Sequence, residues 1–164
     1  MKDGKKTEEK TSDFKNIIET LVKDGRPLKA HRKLRELINF HPSMDSHIYV
    51  EKIYKHLSKD LNFPKFKIAI LRTITIEPIL SCLRVQCFNN RMNPEIYLGG
   101  YNIIDQEILD RNSGLYSFEP DVLIILTRLE EICPRLIDSY IELSSMEVEN
   151  EINSISDKME NLLS

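Results

Sequence analysis

The chain has no long hydrophobic run. No stretch of its 164 residues approaches the roughly 20 apolar positions that a membrane span needs. Beyond Met1 the first ten residues are polar or charged, so no secretory leader is expected and a cytoplasmic location is. No cluster of basic residues interleaves with aromatics, and the formal net charge is −3, which disfavours a nucleic-acid partner. Cysteine is sparse: Cys82, Cys87 and Cys133 are odd in number and form no Cys-x-x-Cys pair, the usage of buried reduced thiols. All four histidines (His31, His41, His47 and His56) precede residue 66 and lack ligand spacing, so neither a metal nor another cofactor is expected. Gly99-Gly100 does not open a phosphate-binding fingerprint.

What is present divides into two kinds of pattern. Residues 1–11 are charged and read as a disordered tail. From Ser12 or Asp13, Phe14, Ile17, Ile18, Leu21 and Val22 recur at helical spacing, and Asp24-Gly25-Arg26-Pro27 stops the helix. Ala30, Leu34, Leu37 and Ile38 form the face of a second helix ending at His41-Pro42. Val50, Ile53, Tyr54, Leu57 and Leu61 mark a third. The spacing of Gly25, Ala30, Leu34, Leu37, Ile38 and Pro42 resembles one tetratricopeptide-type (TPR-like) repeat, and equally suits a hairpin packed on a larger domain. The organisation expected is a helical lead-in over 12–63 and an incomplete α/β domain over 64–164.

After residue 64 the period changes. Phe66–Leu71 reads as a buried strand and residues 76–91 as a helix with Pro78 in its first turn. Pro94–Leu98 reads as a strand ended by Gly99-Gly100. Residues 103–110 suggest a helical turn, 112–114 a loop, and Asp121–Leu126 a strand apolar throughout. Alternating strands and helices predict a three-stranded parallel sheet with helices on both faces. The segment 134–163 reads as helix, with Val148, Ile152, Ile155, Met159 and Leu162 forming a seam suited to packing on its own domain or to a short coiled coil.

Three ordered blocks carry a family resemblance: Leu71-Arg72-Thr73-Ile74-Thr75-Ile76-Glu77-Pro78; Pro94 through Asn102; and Gln106–Asp110 with Ser113–Val122. Over about residues 66–130 the chain resembles the N-terminal, SGNH-hydrolase-like domain of FkbH-like proteins (HAD-superfamily subfamily IIIC). The resemblance implies a flavodoxin/SGNH-like fold followed by a HAD-like domain. In the family that second domain is associated with loading a glyceryl unit onto an acyl carrier protein for polyketide-type biosynthesis. The HAD Asp-x-Asp motif has no match: Asp105, Asp110 and Asp121 stand alone. The SGNH Gly-Asp-Ser is replaced by Arg72-Thr73, and Gly-x-Asn-Asp by Thr127-Arg128-Leu129-Glu130. No histidine follows the first strand.

The expectation is therefore a non-catalytic interaction domain whose partner is a HAD-like domain or an acyl carrier protein. Arg26, Lys29, Arg32, Lys33 and Arg35 are the basic positions suited to an acidic carrier. One alternative is a weak SGNH-type esterase or acyltransferase using Thr73 as nucleophile. Another is a free-standing helical-repeat adaptor. At the first turn, Arg72, Thr73 and Thr75, with Arg128 from the neighbouring strand, offer guanidinium and hydroxyl groups for a phosphate or carboxylate. The competing reading has Thr73 or Thr75 capping the next helix, and Arg72 paired with Glu77 or Glu130. Tyr97, Tyr101 and Tyr116 either rim a pocket or are half-buried packing.

Overall fold

The computed structural model describes residues 2–163, with side chains from residue 7 to 162. The chain forms two compact units. The helical unit takes the chain up to Lys65 together with Ile76–Pro94, and the sheet unit takes Phe66–Thr75 and the chain from Glu95 onward. The division therefore does not fall at residue 63 alone. The crossover helix after the first strand belongs with the helices.

In the helical unit, α1 (Lys2–Lys23) and α2 (Pro27–Phe40) make a hairpin. Its turn is a Schellman closure: Gly25 sits at φ +64, its N–H reaches the Val22 carbonyl at 3.1 Å, and the Arg26 N–H reaches that of Leu21 at 2.9 Å. Pro27 then occupies the first turn of α2, where an absent N–H costs nothing. The helix α1 begins at Lys2, well before Ser12, so the expected disordered tail at 1–11 is helical over its described residues. No helix breaker stands between Lys5 and Asp24, and the Thr11 hydroxyl bonds back to the Thr7 carbonyl within the helical ladder.

The third helix, α3 (Met44–Leu61), is capped by Ser43, whose hydroxyl accepts the Ser46 N–H at 3.2 Å, and is followed by Asn62 in the left-handed region. The fourth, α4 (Glu77–Asn89), packs on α3. Ile18, Leu34, Leu37, Val50, Tyr54, Val85 and Phe88 meet in one fully buried core. Two polar devices cross it. Glu51 on α3 accepts from Ser81 (2.6 Å) and Arg84 (3.3 Å) of α4 and pairs with Lys55. His31, Tyr54 and Asn89 form a buried chain, His31 Nδ1 to Tyr54 OH at 2.8 Å and Tyr54 OH to Asn89 Oδ1 at 3.2 Å, with Tyr54 stacked on Phe88.

The sheet unit carries β1 (Lys65–Arg72), β2 (Asn93–Tyr101) and β3 (Val122–Leu126) in the order β2-β1-β3. It is a three-stranded parallel sheet flanked by helices. Ile68 lies opposite Val122 and Arg72 opposite Leu126. Ala69 and Leu71 of β1 and Leu123 and Ile125 of β3 share one face with Tyr97. That face is covered by Ile104 and Ile108 of α5 (Ile104–Leu109), Leu115 and Phe118 of α6 (Gly114–Phe118), and Leu162 of the last helix.

Three details differ from the sequence reading. Strand β2 runs through Gly99 and Gly100 to Tyr101; Gly99 lies against β1, where a Cβ would come within 2.6 Å of Leu71 Cδ2. The glycine allows close approach rather than a turn. The loop expected at 112–114 leads at once into α6. The last segment is broken into α7 (Leu129–Ile132), α8 (Pro134–Asp138), a 3₁₀ turn (Tyr140–Glu142) and α9 (Ser145–Leu163). Pro134 removes a ladder N–H and starts a new helix instead.

Candidate functional site

The carboxyl ends of the three strands gather one cleft of about 270 Å³. Topology puts it there, because ligands of open α/β sheets sit beyond the carboxyl edge. The first residue past β1, Thr73, is held by its N–H on the Leu126 carbonyl (2.9 Å). The first residue past β2, Asn102, donates its N–H to the Arg72 carbonyl (2.9 Å). Asn102 has φ +58, a conformation that asparagine tolerates better than most residues. The cleft is lined by Thr73, Asn102 and Thr127 at these strand ends, by Asp105 and Gln106 of α5, and by Glu131 of α7. Lys158 and the apolar Met159 and Leu162 of α9 close it.

Thr73 is only 5% exposed, and its hydroxyl has no hydrogen-bond partner among the described residues. Thr127 Oγ1 makes a long bond to the Arg128 carbonyl at 3.4 Å. Lys158 Nζ stands 3.4 Å from Asp105 Oδ2; both side chains are half-exposed, so the pair contributes about 1 kcal/mol at most.

Of the four residues expected to hold an anion, Thr73 alone lines the cleft. Arg72 turns back on its own turn, Nη1 donating to the Ile74 carbonyl at 3.1 Å. Thr75 and Arg128 are exposed and outside the lining. Neither threonine caps α4: its N-cap is Ile76, without a side-chain cap bond, and the Ile76 N–H donates to Glu77 Oε2 at 3.0 Å. Two carboxylates, Asp105 and Glu131, against the single ammonium of Lys158 make the lining a poor receptor for a phosphate.

The sheet unit does not carry the histidine of the SGNH pattern. His31, His41, His47 and His56 all belong to the helical unit, and no histidine occurs in the sheet unit. The ionisable groups that line the cleft with Thr73 are Asp105, Glu131 and Lys158, not an imidazole. Among the described residues no group of three or more His, Cys, Asp or Glu could hold a metal ion.

The resemblance-bearing blocks are occupied with holding the fold. Tyr97 OH donates to Glu107 Oε1 at 2.7 Å, and Glu107 Oε2 accepts the Leu115 N–H at 2.9 Å in the first turn of α6. Ser113 Oγ donates to the Glu107 carbonyl at 2.7 Å. Burial and the Glu107 charge push the Tyr97 phenol up to about 12, so it stays a donor. Gly114 lies under the Tyr97 ring, where a Cβ would collide with its hydroxyl. Asp121 clips β3 to β1, Oδ2 accepting the Lys67 N–H at 2.7 Å. Tyr116 OH donates to the Ile108 carbonyl at 2.8 Å, whereas Tyr101 is exposed. Two of the three tyrosines are therefore packing.

On the helical unit, the five basic positions fall on α2 or its N-cap. Arg26, Lys29, Arg32 and Arg35 are exposed, and Lys33 is half-buried with an ion pair to Glu36. At 100° per residue Lys29, Arg32 and Arg35 fall on the half of α2 opposite Ala30, Leu34, Leu37 and Ile38, Lys33 lies at the edge of that half, and Arg26 precedes the helix as its N-cap.

Among the described residues no helix is long and apolar enough to cross a membrane. No protein-family model matches the chain, and no curated protein does. Its fold is similar to a solved structure, the N-terminal part of the protein BF1531 from Bacteroides fragilis, described as containing a phosphatase domain and complexed with Mg. The identity is 23% and the TM-score 0.51, over 69% of this chain and 29% of that one. The chain thus spans less than a third of that solved chain, and the likeness is one of fold.

Proposed function

We propose that this chain is a non-catalytic interaction module that accompanies a HAD-like domain and docks an acidic carrier protein on the exposed half of α2. The observation that carries the reading is that half-helix itself. Lys29, Arg32 and Arg35 stand there, with Lys33 at the edge, Arg26 at the start of the helix and Glu36 the one acid among them, on a helix whose other half is fixed in the core. Such a rigid basic face steers and orients an acidic partner. The similarity of fold to part of a protein described as containing a phosphatase domain supports the HAD-like companion. Loading of glyceryl units onto an acyl carrier protein extends the FkbH-like resemblance to the pathway.

The test is calorimetric titration of the chain with an acyl carrier protein. Binding weakened at least about tenfold by Arg26→Glu with Arg32→Glu, and weakened also by added salt, is the expected result. Binding that ignores both changes overturns the reading. An ester-hydrolysis assay covers the rival enzyme: turnover that disappears in Thr73→Ala would establish the nucleophile and displace the interaction module.

A further inference from the structure

One apolar groove of the helical unit and one acidic, apolar projection of the sheet unit have complementary chemistry. The groove, about 330 Å³, runs between α1 and α2 and is lined by Phe14, Ile17 and Phe40, with Lys10, Lys33 and Asp13 at its rim. Phe14 and Phe40 lie with ring centroids 5.6 Å apart. Each ring carries an ammonium: Lys10 Nζ is 5.5 Å from the Phe40 centroid and Lys33 Nζ 5.8 Å from that of Phe14. Ile17 and Phe40 stay exposed, an apolar floor under two cations.

The projection is the junction of α8 and the 3₁₀ turn, Asp138-Ser139-Tyr140-Ile141-Glu142. Ile141 is 97% exposed and Tyr140 is largely exposed, an unusual position for two such side chains side by side. Exposed carboxylates, Asp138 and Glu142, flank them. From residue 129 onward the chain carries nine carboxylates against two cations, Arg135 and Lys158, so the projection stands in a strongly acidic segment.

We infer that the chain associates with a second copy of itself, head to tail. Ile141 of one copy seats against Ile17 and Phe40 of the next, with Asp138 and Glu142 facing Lys10 and Lys33. The occupant is a second copy because both halves of the pair, opposite in charge and matched in apolar character, are written in one sequence. The contact is heterologous: each copy keeps one unused groove or projection, so assembly continues into a ring or a chain. This inference shares Lys33 with the carrier-docking reading, whose test uses Arg26 and Arg32.

Sedimentation velocity of the full chain tests it, over concentrations up to about millimolar because a contact of this size is weak. The average mass is expected to rise with concentration from 19.2 kDa to at least twice that value, and the rise to shrink in high salt. Ile141→Asp and, separately, Ile17→Asp each hold the chain monomeric. Both side chains are exposed, and circular dichroism confirms that each variant is folded. Mixed together the two variants form a dimer and nothing larger, because one supplies the groove and the other the projection. A wild-type mass that stays at the monomer, association that survives Ile141→Asp, or a mixture that stays monomeric overturns the inference. Carrier binding unchanged in Ile141→Asp separates the two proposals.

Discussion

The two units bury their cores to different depths. In the helical unit Ile18, Leu34, Leu37, Val50, Tyr54 and Val85 are wholly excluded from solvent, and four helices share them. In the sheet unit only Ala69 and Leu71 of the comparable cluster come close to that, Ile108 and Leu115 keeping 8% and 6% of their surface exposed, although Ile68 and Ile70 of β1 are buried as well. Every residue of β3 remains partly or largely exposed, although all five are apolar. A strand of Val-Leu-Ile-Ile-Leu belongs to a sheet covered on both faces and both edges; here β3 is the last strand in the order. The helical unit is held by apolar closure. The sheet unit relies more on directed bonds: the Glu107 cap, the Asp121 clip and the strand ladder.

The largest expected break in this contrast is Leu34→Ala. It removes a side chain with no exposure from the tightest part of the helical core and should cost about 4 kcal/mol in urea denaturation. Next is acid. Burial, helped by the charges of Arg35 and Arg91, lowers His31 to about 4 from the ordinary 6.5, and the ring is 4% exposed. The unfolded chain therefore binds the proton first. Stability is full above about pH 6.5, falls as pH drops toward 4, and the loss levels off near 3 kcal/mol. Denaturation curves from pH 7 to 4 should show this slope in wild type and a shallower one in His31→Gln; parallel slopes would remove the buried imidazole from the account.

Gly114→Ala probes the directed bonds of the other unit. The new methyl meets Tyr97, so a cost of about 2 kcal/mol is expected, partly relieved by Tyr97→Phe, in a thermal-melt double-mutant cycle. The smallest effect is Leu123→Ala on β3, about 1 kcal/mol, because that side chain is only half-buried. A cost equal to that of Leu34→Ala would erase the distinction between the two cores.

Periodicity made the helices of the lead-in and the strands β1 and β3 legible, since each is long or continuously apolar. It could not find α6, which is five residues long and opens with glycine, a residue that reads as loop. It took Gly99-Gly100 for a stop because the need for close approach to Leu71 exists only once β1 lies alongside. At the site, Thr73 is legible as a hydroxyl in the turn that follows a buried strand. Asn102 lay within a recognised block with no role attached. Thr127 stands out in the sequence only as a departure from a hydrolase pattern, and Lys158 sits on a helix whose apolar seam is the stronger signal. Such residues meet by topology, and local patterning carries no record of that.

The helix that links β1 to β2 packs with α3, so the chain enters each unit twice. Neither unit is a contiguous stretch of gene. A recombination event joining residues 66–164 to a new partner would import α4 without its mate. Ser81 and Arg84 would lose Glu51, and Phe88 would lose the Tyr54 ring it stacks on. A break between the lead-in and the sheet would for that reason cost the helical unit its fourth helix and leave α4 with an uncovered face.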